Sequence, residues 1–158
     1  MFTEVRKKHR ALDHDEAIRI LGQTRRGVLS LIRPDGYPYG VPLNHYFDPE
    51  GMKLYFHGDM QGSRIECAEK QQKASYCVFQ QRERQQKHWY RTYESVIAFG
   101  KLKFIEDREE KKRIVRNLTA GFTDDLGSYE EEIESAIDRT SLIEMSIEHL
   151  TAKFIEEK

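Results

Sequence analysis

Residues 54–64 read Leu54-Tyr55-Phe56-His57-Gly58-Asp59-Met60-Gln61-Gly62-Ser63-Arg64, a strand that breaks into a glycine-bounded loop and then opens a helix. Met52, Leu54 and Phe56 alternate with Lys53, Tyr55 and His57, the period-2 pattern of a half-buried strand. Gly58 and Gly62 bracket the loop, where glycine reaches backbone conformations closed to other residues. Ser63 and Arg64 fall at the start of a helix whose Ile65 and Ala68 share one face. A helix N-terminus presents unpaired N–H groups and a partial positive charge, so it can seat an anion. Ser63 adds a hydroxyl and Arg64 a planar fork suited to phosphate oxygens. Taken alone, the same residues also describe an ordinary capped helix after a strand.

Upstream, Asp13 and Glu16 have capping-box spacing and predict a helix from Asp13 to Leu21, with residues 1–12 as a basic, polar N-terminal arm. Val28-Leu29-Ser30-Leu31-Ile32 is a short apolar run, read as a buried strand. Pro34-Asp35-Gly36 turns the chain into a second strand over Tyr39–Phe47. On it Tyr39, Val41, Leu43, His45 and Phe47 share a face opposite Gly40, Pro42, Asn44 and Tyr46. Pro42 removes a ladder donor, so it belongs at an edge, at a bulge, or facing something other than a neighbouring strand. Asp48-Pro49-Glu50-Gly51 then turns into the stretch quoted first.

Downstream, Ala74–Gln80 reads as a fourth strand. Gln81–Arg91 is polar and charged apart from Trp89 and Tyr90, and reads as a long surface loop of the kind that carries function or an interface. Ser95–Ile105 is a strand that Gly100 interrupts with a bulge or bend. Asp107 with Glu110 and Ser128 with Glu131 predict caps for two further helices, and Ile143, Met145, Ile147 and His149 alternate in a last strand. Tight turns between the early strands imply antiparallel pairing, and strands this numerous need a nearly closed sheet to hide their edges. The expectation is a single-domain, mainly β chain: a small antiparallel barrel with flanking helices.

The totals narrow the function classes. The chain has 158 residues, 38% hydrophobic and 11% aromatic, with a formal charge of −1, a globular composition that gives no reason to expect a nucleic-acid partner. No apolar run approaches the roughly 20 residues that span a bilayer, and no signal-peptide core is present, so neither a membrane partner nor export is expected. Cys67 and Cys77 form no C-x-x-C motif and read as reduced thiols of a cytoplasmic protein. No histidine pairs with a cysteine at zinc-ligand spacing, so no metal site is expected. The Glu130-Glu131-Glu132-Glu134 run reads as a solvated helix face, and His45 and His149 as structural residues.

The ordered set of Gly36, Val41-Pro42-Leu43-Asn44, Leu54-Tyr55-Phe56-His57, Gly62-Ser63-Arg64, Ser95-Val96-Ile97, Gly100 and Thr151-Ala152-Lys153 resembles the FMN-binding split-barrel superfamily of pyridoxamine 5′-phosphate oxidase. Within it the chain is most similar to the 5-nitroimidazole-resistance branch, over roughly Asp13–Phe154. The resemblance implies a six-stranded antiparallel split barrel that forms a homodimer and holds FMN in a cleft between subunits. It further implies that Gly62, Ser63 and Arg64 hold the flavin phosphate, and that Phe56, His57 and Gly58 line the flavin. Val41, Pro42, Leu43 and Asn44 would meet the ring by backbone and side chain, with Ser95 as a polar residue against it. Ile65 stands where the oxidases proper carry a lysine, and Ser63 where the resistance branch carries the first of two basic residues. The C-terminal Arg/His motif that the oxidases use for pyridoxal substrates has no counterpart in Thr151–Lys158, so pyridoxine phosphate is not the expected substrate.

His57 stands as a flavin contact and catalytic candidate, a haem ligand, or a strand residue near the surface. Two functions follow. One is an oxidoreductase that passes electrons from NADH or NADPH through FMN to a small molecule such as a nitroaromatic compound. The other is a flavin- or haem-binding module without turnover, serving storage, sensing or stress protection.

Overall fold

The computed structural model describes residues 2–81 and 91–157. Strands β1 (Ala11–Leu12), β2 (Arg26–Ile32), β3 (Pro38–Asn44), β4 (Tyr46–Asp48), β5 (Lys53–Asp59), β6 (Lys73–Gln81), β7 (Arg91–Phe104) and β8 (Thr140–Glu157) form one antiparallel sheet. Helices α1 (His14–Gln23), α2 (Ser63–Lys70), α3 (Arg108–Ala120) and α4 (Glu130–Ala136) flank it. The order is β3-β2-β6-β7-β8-β5-β4, with β1 paired to β8. The two ends of that order, β3 and β4, are separated in sequence by His45 alone, so the sheet must curl until its edges meet. This is a split barrel.

The expected six strands are the long ones, and the described residues form eight. The two extra strands are short. The predicted Tyr39–Phe47 strand breaks at His45, whose buried ring and whose N–H, bonded to the Arg25 carbonyl at 3.1 Å, hold the chain where it crosses from one sheet edge to the other. The N-terminal arm contributes β1, through Ala11↔Lys153 and Leu12↔Ala152, and Phe2 stacks on His149 at 4.8 Å.

Leu29, Leu31, Leu54, Phe56, Tyr76, Val78, Val96, Ala98, Ile143 and Met145 fill the barrel, and α1 and α2 add Ile20, Leu21, Ile65, Cys67 and Ala68 to the same core. The Asp13 carboxylate accepts from the Glu16 N–H at 2.9 Å and the Asp107 carboxylate from the Glu110 N–H at 2.8 Å, so both expected caps form. Ser128 does not cap α4. Asp125 caps a preceding 3-10 turn over Leu126–Tyr129, and α4 follows with no side-chain cap. Of the Glu130–Glu134 run, Glu131 and Glu132 are exposed as expected, while Glu130 pairs with Arg116 and Glu134 with Arg108 of α3, which also pairs with Asp138.

β8 is far longer than the predicted Ile143–His149 strand. It pairs with β7 along its length, with β5 through its first half and with β1 near its end. Phe99 pairs with His149 but Gly100 with Ile147, so Glu148 is an extra residue opposite Gly100, the expected irregularity. The bulge reverses the alternation: Met145 and Ile147 face the core, then Leu150 and Ala152 do. His149 therefore sits on the other face from Ile147, beside Phe99. β7 begins at Arg91, four residues before the expected start. Trp89 and Tyr90, with the rest of the loop expected between Gln81 and Arg91, lie outside the described residues.

Candidate functional site

β5 ends at Asp59, and α2 begins at Ser63 behind Gly62, whose φ of +107° lies in the region that favours glycine. No side chain caps α2, and the N–H groups of Ser63 and Arg64 have no hydrogen-bond partner among the described residues. The space beside Gly62 is open.

Arg64 does not extend into solvent; it is only 8% exposed. Its Nη1 donates to the His57 carbonyl at 3.0 Å, and its Nη2 donates to the Asp59 carbonyl at 3.0 Å and to Ser141 Oγ at 2.7 Å. The guanidinium lies across Gly58, where a Cβ would come within 2.8 Å of Nη2 and 2.9 Å of Nη1. No carboxylate of the described residues forms an ion pair with it. Burial pulls its pKa down, while nearby Asp59 and Tyr39 act in the opposite direction. β3 also approaches β5 across the barrel. The junction thus sets a buried positive charge beside an uncapped helix start.

Phe56 packs in the barrel. His57, the next residue, faces the other side of β5, paired with Leu142 of β8. Its Nδ1 is buried with no hydrogen-bond partner among the described residues, and burial, helped by the Arg64 charge, lowers its pKa, so the imidazole is neutral near pH 7. A buried polar atom without a partner is costly, and a hydrogen-bonding ligand would satisfy it.

β3 is an edge strand, with β2 as its one ladder partner, so Pro42 stands at an edge as its chemistry requires. Val41 and Leu43 pack toward the core, Pro42 and Gly40 face out, and Asn44 accepts from Arg26 at 3.0 Å. Ser95 lies elsewhere. It sits between Phe79 and Lys153 on the outer face of β7, and along β8 Lys153 is eleven residues, roughly 35 Å of extended chain, from Leu142 beside His57. One copy of the chain therefore brings together the β5–α2 set and does not join Ser95 to it. A separate cleft of about 290 Å³, lined by Glu4, Leu12, His14, Ala17 and Leu150 among others, shares no residue with this set. Sequence reasoning missed Ser141, because nothing local marks a serine 77 residues from its partner.

An antiparallel split barrel with a buried arginine at a strand-to-helix junction defines a class, and the sequence places the chain within it. Residues 13–154 match the pyridoxamine 5′-phosphate oxidase family, and the protein belongs to that family. Its fold is shared with a candidate 5-nitroimidazole antibiotic resistance protein from Bacteroides thetaiotaomicron, at 23% identity over 92% of this chain and 87% of that one, with a TM-score of 0.79. An FAD-binding protein from Mesorhizobium loti matches at 20% identity over 92% of this chain and 97% of that one, with a TM-score of 0.67. The flavocytochrome Anf3 from Azotobacter vinelandii matches at 21% identity over 94% of this chain and 71% of that one, with a TM-score of 0.75. No protein of curated function matches the sequence. No helix among the described residues is long and apolar enough to cross a membrane, and no group of residues there is arranged to hold a metal ion.

Proposed function

We propose that this protein binds FMN with its phosphate at the β5–α2 junction and uses it to reduce a small acceptor such as a nitroaromatic compound, with NADH or NADPH as donor. The observation that carries the reading is Arg64: a buried guanidinium with no carboxylate partner among the described residues, next to the open N-terminus of α2. Ser63 and the first N–H groups of α2 would take the phosphate together with the Arg64 charge. The open edge of β3, from Val41 to Asn44, would offer backbone groups to the ring, and the unpartnered Nδ1 of His57 a further polar contact. Bound flavin would supply the two-electron redox chemistry; the residues supply position and charge.

A homodimer belongs to the same proposal. Val28 and Phe79, 38% and 70% exposed, stand on the outer sheet face that also carries Ile97 and Ser95. Apolar groups of this kind favour burial by a partner. Ser95, too far along the sheet to reach His57 of its own chain, would then serve the site of a second copy.

The test is direct. The purified chain should bind FMN, and the bound flavin should bleach anaerobically with NADH or NADPH and recover on adding a nitroaromatic compound. No FMN binding removes the reading. Binding without reduction by either nicotinamide donor favours a flavin-binding module without turnover.

A further inference from the structure

We infer that Ser141 of β8 is a positioning residue for the phosphate end of the ligand, acting through Arg64; the inference rests on the FMN reading above. Ser141 is 7% exposed and pairs with Gly58 across the β5–β8 ladder. Its Oγ accepts from Arg64 Nη2 at 2.7 Å and donates to the Asp59 carbonyl at 2.9 Å, while the same Nη2 also donates to that carbonyl at 3.0 Å. The three groups close a ring in which the hydroxyl is both acceptor and donor, a pair of roles that alanine cannot fill and threonine can.

The ring decides which edge of the guanidinium is free. Both Nη2 hydrogens are consumed by Asp59 and Ser141, and one Nη1 hydrogen by His57. Of the five N–H donors, Nε–H and one on Nη1 have no partner among the described residues. Because the guanidinium rests on Gly58, it has little room to tilt. The Asp59 carbonyl lies at the mouth of the loop that leads to Gly62, so Ser141 fixes both the charge and the start of the loop. Without the hydroxyl, one Nη2 hydrogen loses its buried partner and the His57 and Asp59 carbonyls alone hold the fork, a weaker hold on the orientation that leaves its other donors available to an anion.

The effect belongs to the phosphate and not to the ring, which gives a readout that general loss of structure would not produce. Dissociation constants for FMN and riboflavin are measured on the full-length wild type and on Ser141→Ala, Ser141→Cys and Ser141→Thr. Wild type should prefer FMN. Ser141→Ala and the similarly sized Ser141→Cys should lose about tenfold or more in FMN affinity, the scale of a hydrogen bond to a charged group, with riboflavin affinity unchanged. Ser141→Thr should keep the FMN preference. Equal losses for both flavins in Ala and Cys, or an unchanged FMN preference in either, would overturn the role of Ser141 while the FMN site stands. A wild type that does not distinguish FMN from riboflavin would overturn the phosphate site, and this inference with it.

Discussion

The imidazole of His45 meets the phenol of Tyr76 at 2.9 Å, Nδ1 to Oη, and its Nε2 lies 3.1 Å from the Leu21 carbonyl. The carbonyl requires a proton on Nε2, so the neutral ring offers Nδ1 to Tyr76. The single Tyr76 hydroxyl proton is shared between that nitrogen and the Leu43 carbonyl, 3.0 Å from Oη. One histidine thus ties α1, β6 and β3 together where the chain crosses between sheet edges.

Burial lowers the pKa of His45 from its ordinary 6.5, against the opposing Leu21 hydrogen bond and with help from Arg25, and burial likewise lowers that of His57. Below pH 6.5 the unfolded chain takes up protons that the folded chain resists. The stability from these neutral rings is therefore complete above about 6.5 and is lost as pH falls toward the lowered folded values. Each ring contributes at most about 1.4 kcal/mol per pH unit in that window, with His57, the more exposed, contributing less. Urea unfolding between pH 5 and 8 should show this loss, and His45→Gln should flatten the slope. An unchanged slope in that variant would contradict the assignment.

Gly58→Ala should displace Arg64, since its Cβ would overlap both Nη atoms. Arg64→Ala should weaken FMN binding by about 1.5–3 kcal/mol and also lower the melting temperature, because its bonds to His57, Asp59 and Ser141 are lost. Gly58→Ala should resemble it in both measurements. FMN titrated with unchanged affinity by the Arg64 variant would place the phosphate elsewhere.

His57→Ala should retain FMN yet reduce nitroaromatic turnover at least about tenfold, roughly 1.4 kcal/mol in barrier. Steady-state rates on the FMN-loaded variant check this. Full activity would take the imidazole out of the reaction.

Phe79→Glu should give a monomer of half the wild-type mass by light scattering, as a charge on the outer sheet face opposes burial there. A dimer of unchanged stability would move the interface to another surface.

Much of this architecture is local enough to be read from the chain. Leu54 and Phe56 alternate because one face of β5 fills the barrel, Asp13 and Asp107 announce their helices, and Pro42 marks an edge. The failures share a cause: a change of geometry that leaves the hydrophobic pattern intact. Alternation runs unbroken through His45, hiding the bend. At Glu148 the bulge shifts the pattern by one residue, so β8 looked half its length. Ser128 and Asp125 both suit a cap, and the carboxylate three residues earlier prevails by starting a 3-10 turn first. Gly58 through Arg64 was legible as a strand that turns into a helix, but not the inward turn of Arg64, which depends on a serine from a strand far along the chain.

The place of β8 has a consequence for how the molecule is made. It is the last strand in the sequence yet stands inside the sheet, between β7 and β5. Before it emerges from the ribosome, the nascent chain can assemble β3-β2-β6-β7 as one ribbon and β4 with β5 as another, with no strand to join them. Arg64 then lacks Ser141, and the inner edges of both ribbons stay open to wrong partners. Until β8 is made, no hydrogen-bonded strand bridges the two ribbons, so removal of Thr140–Glu157 should yield an aggregating chain and not a smaller folded one.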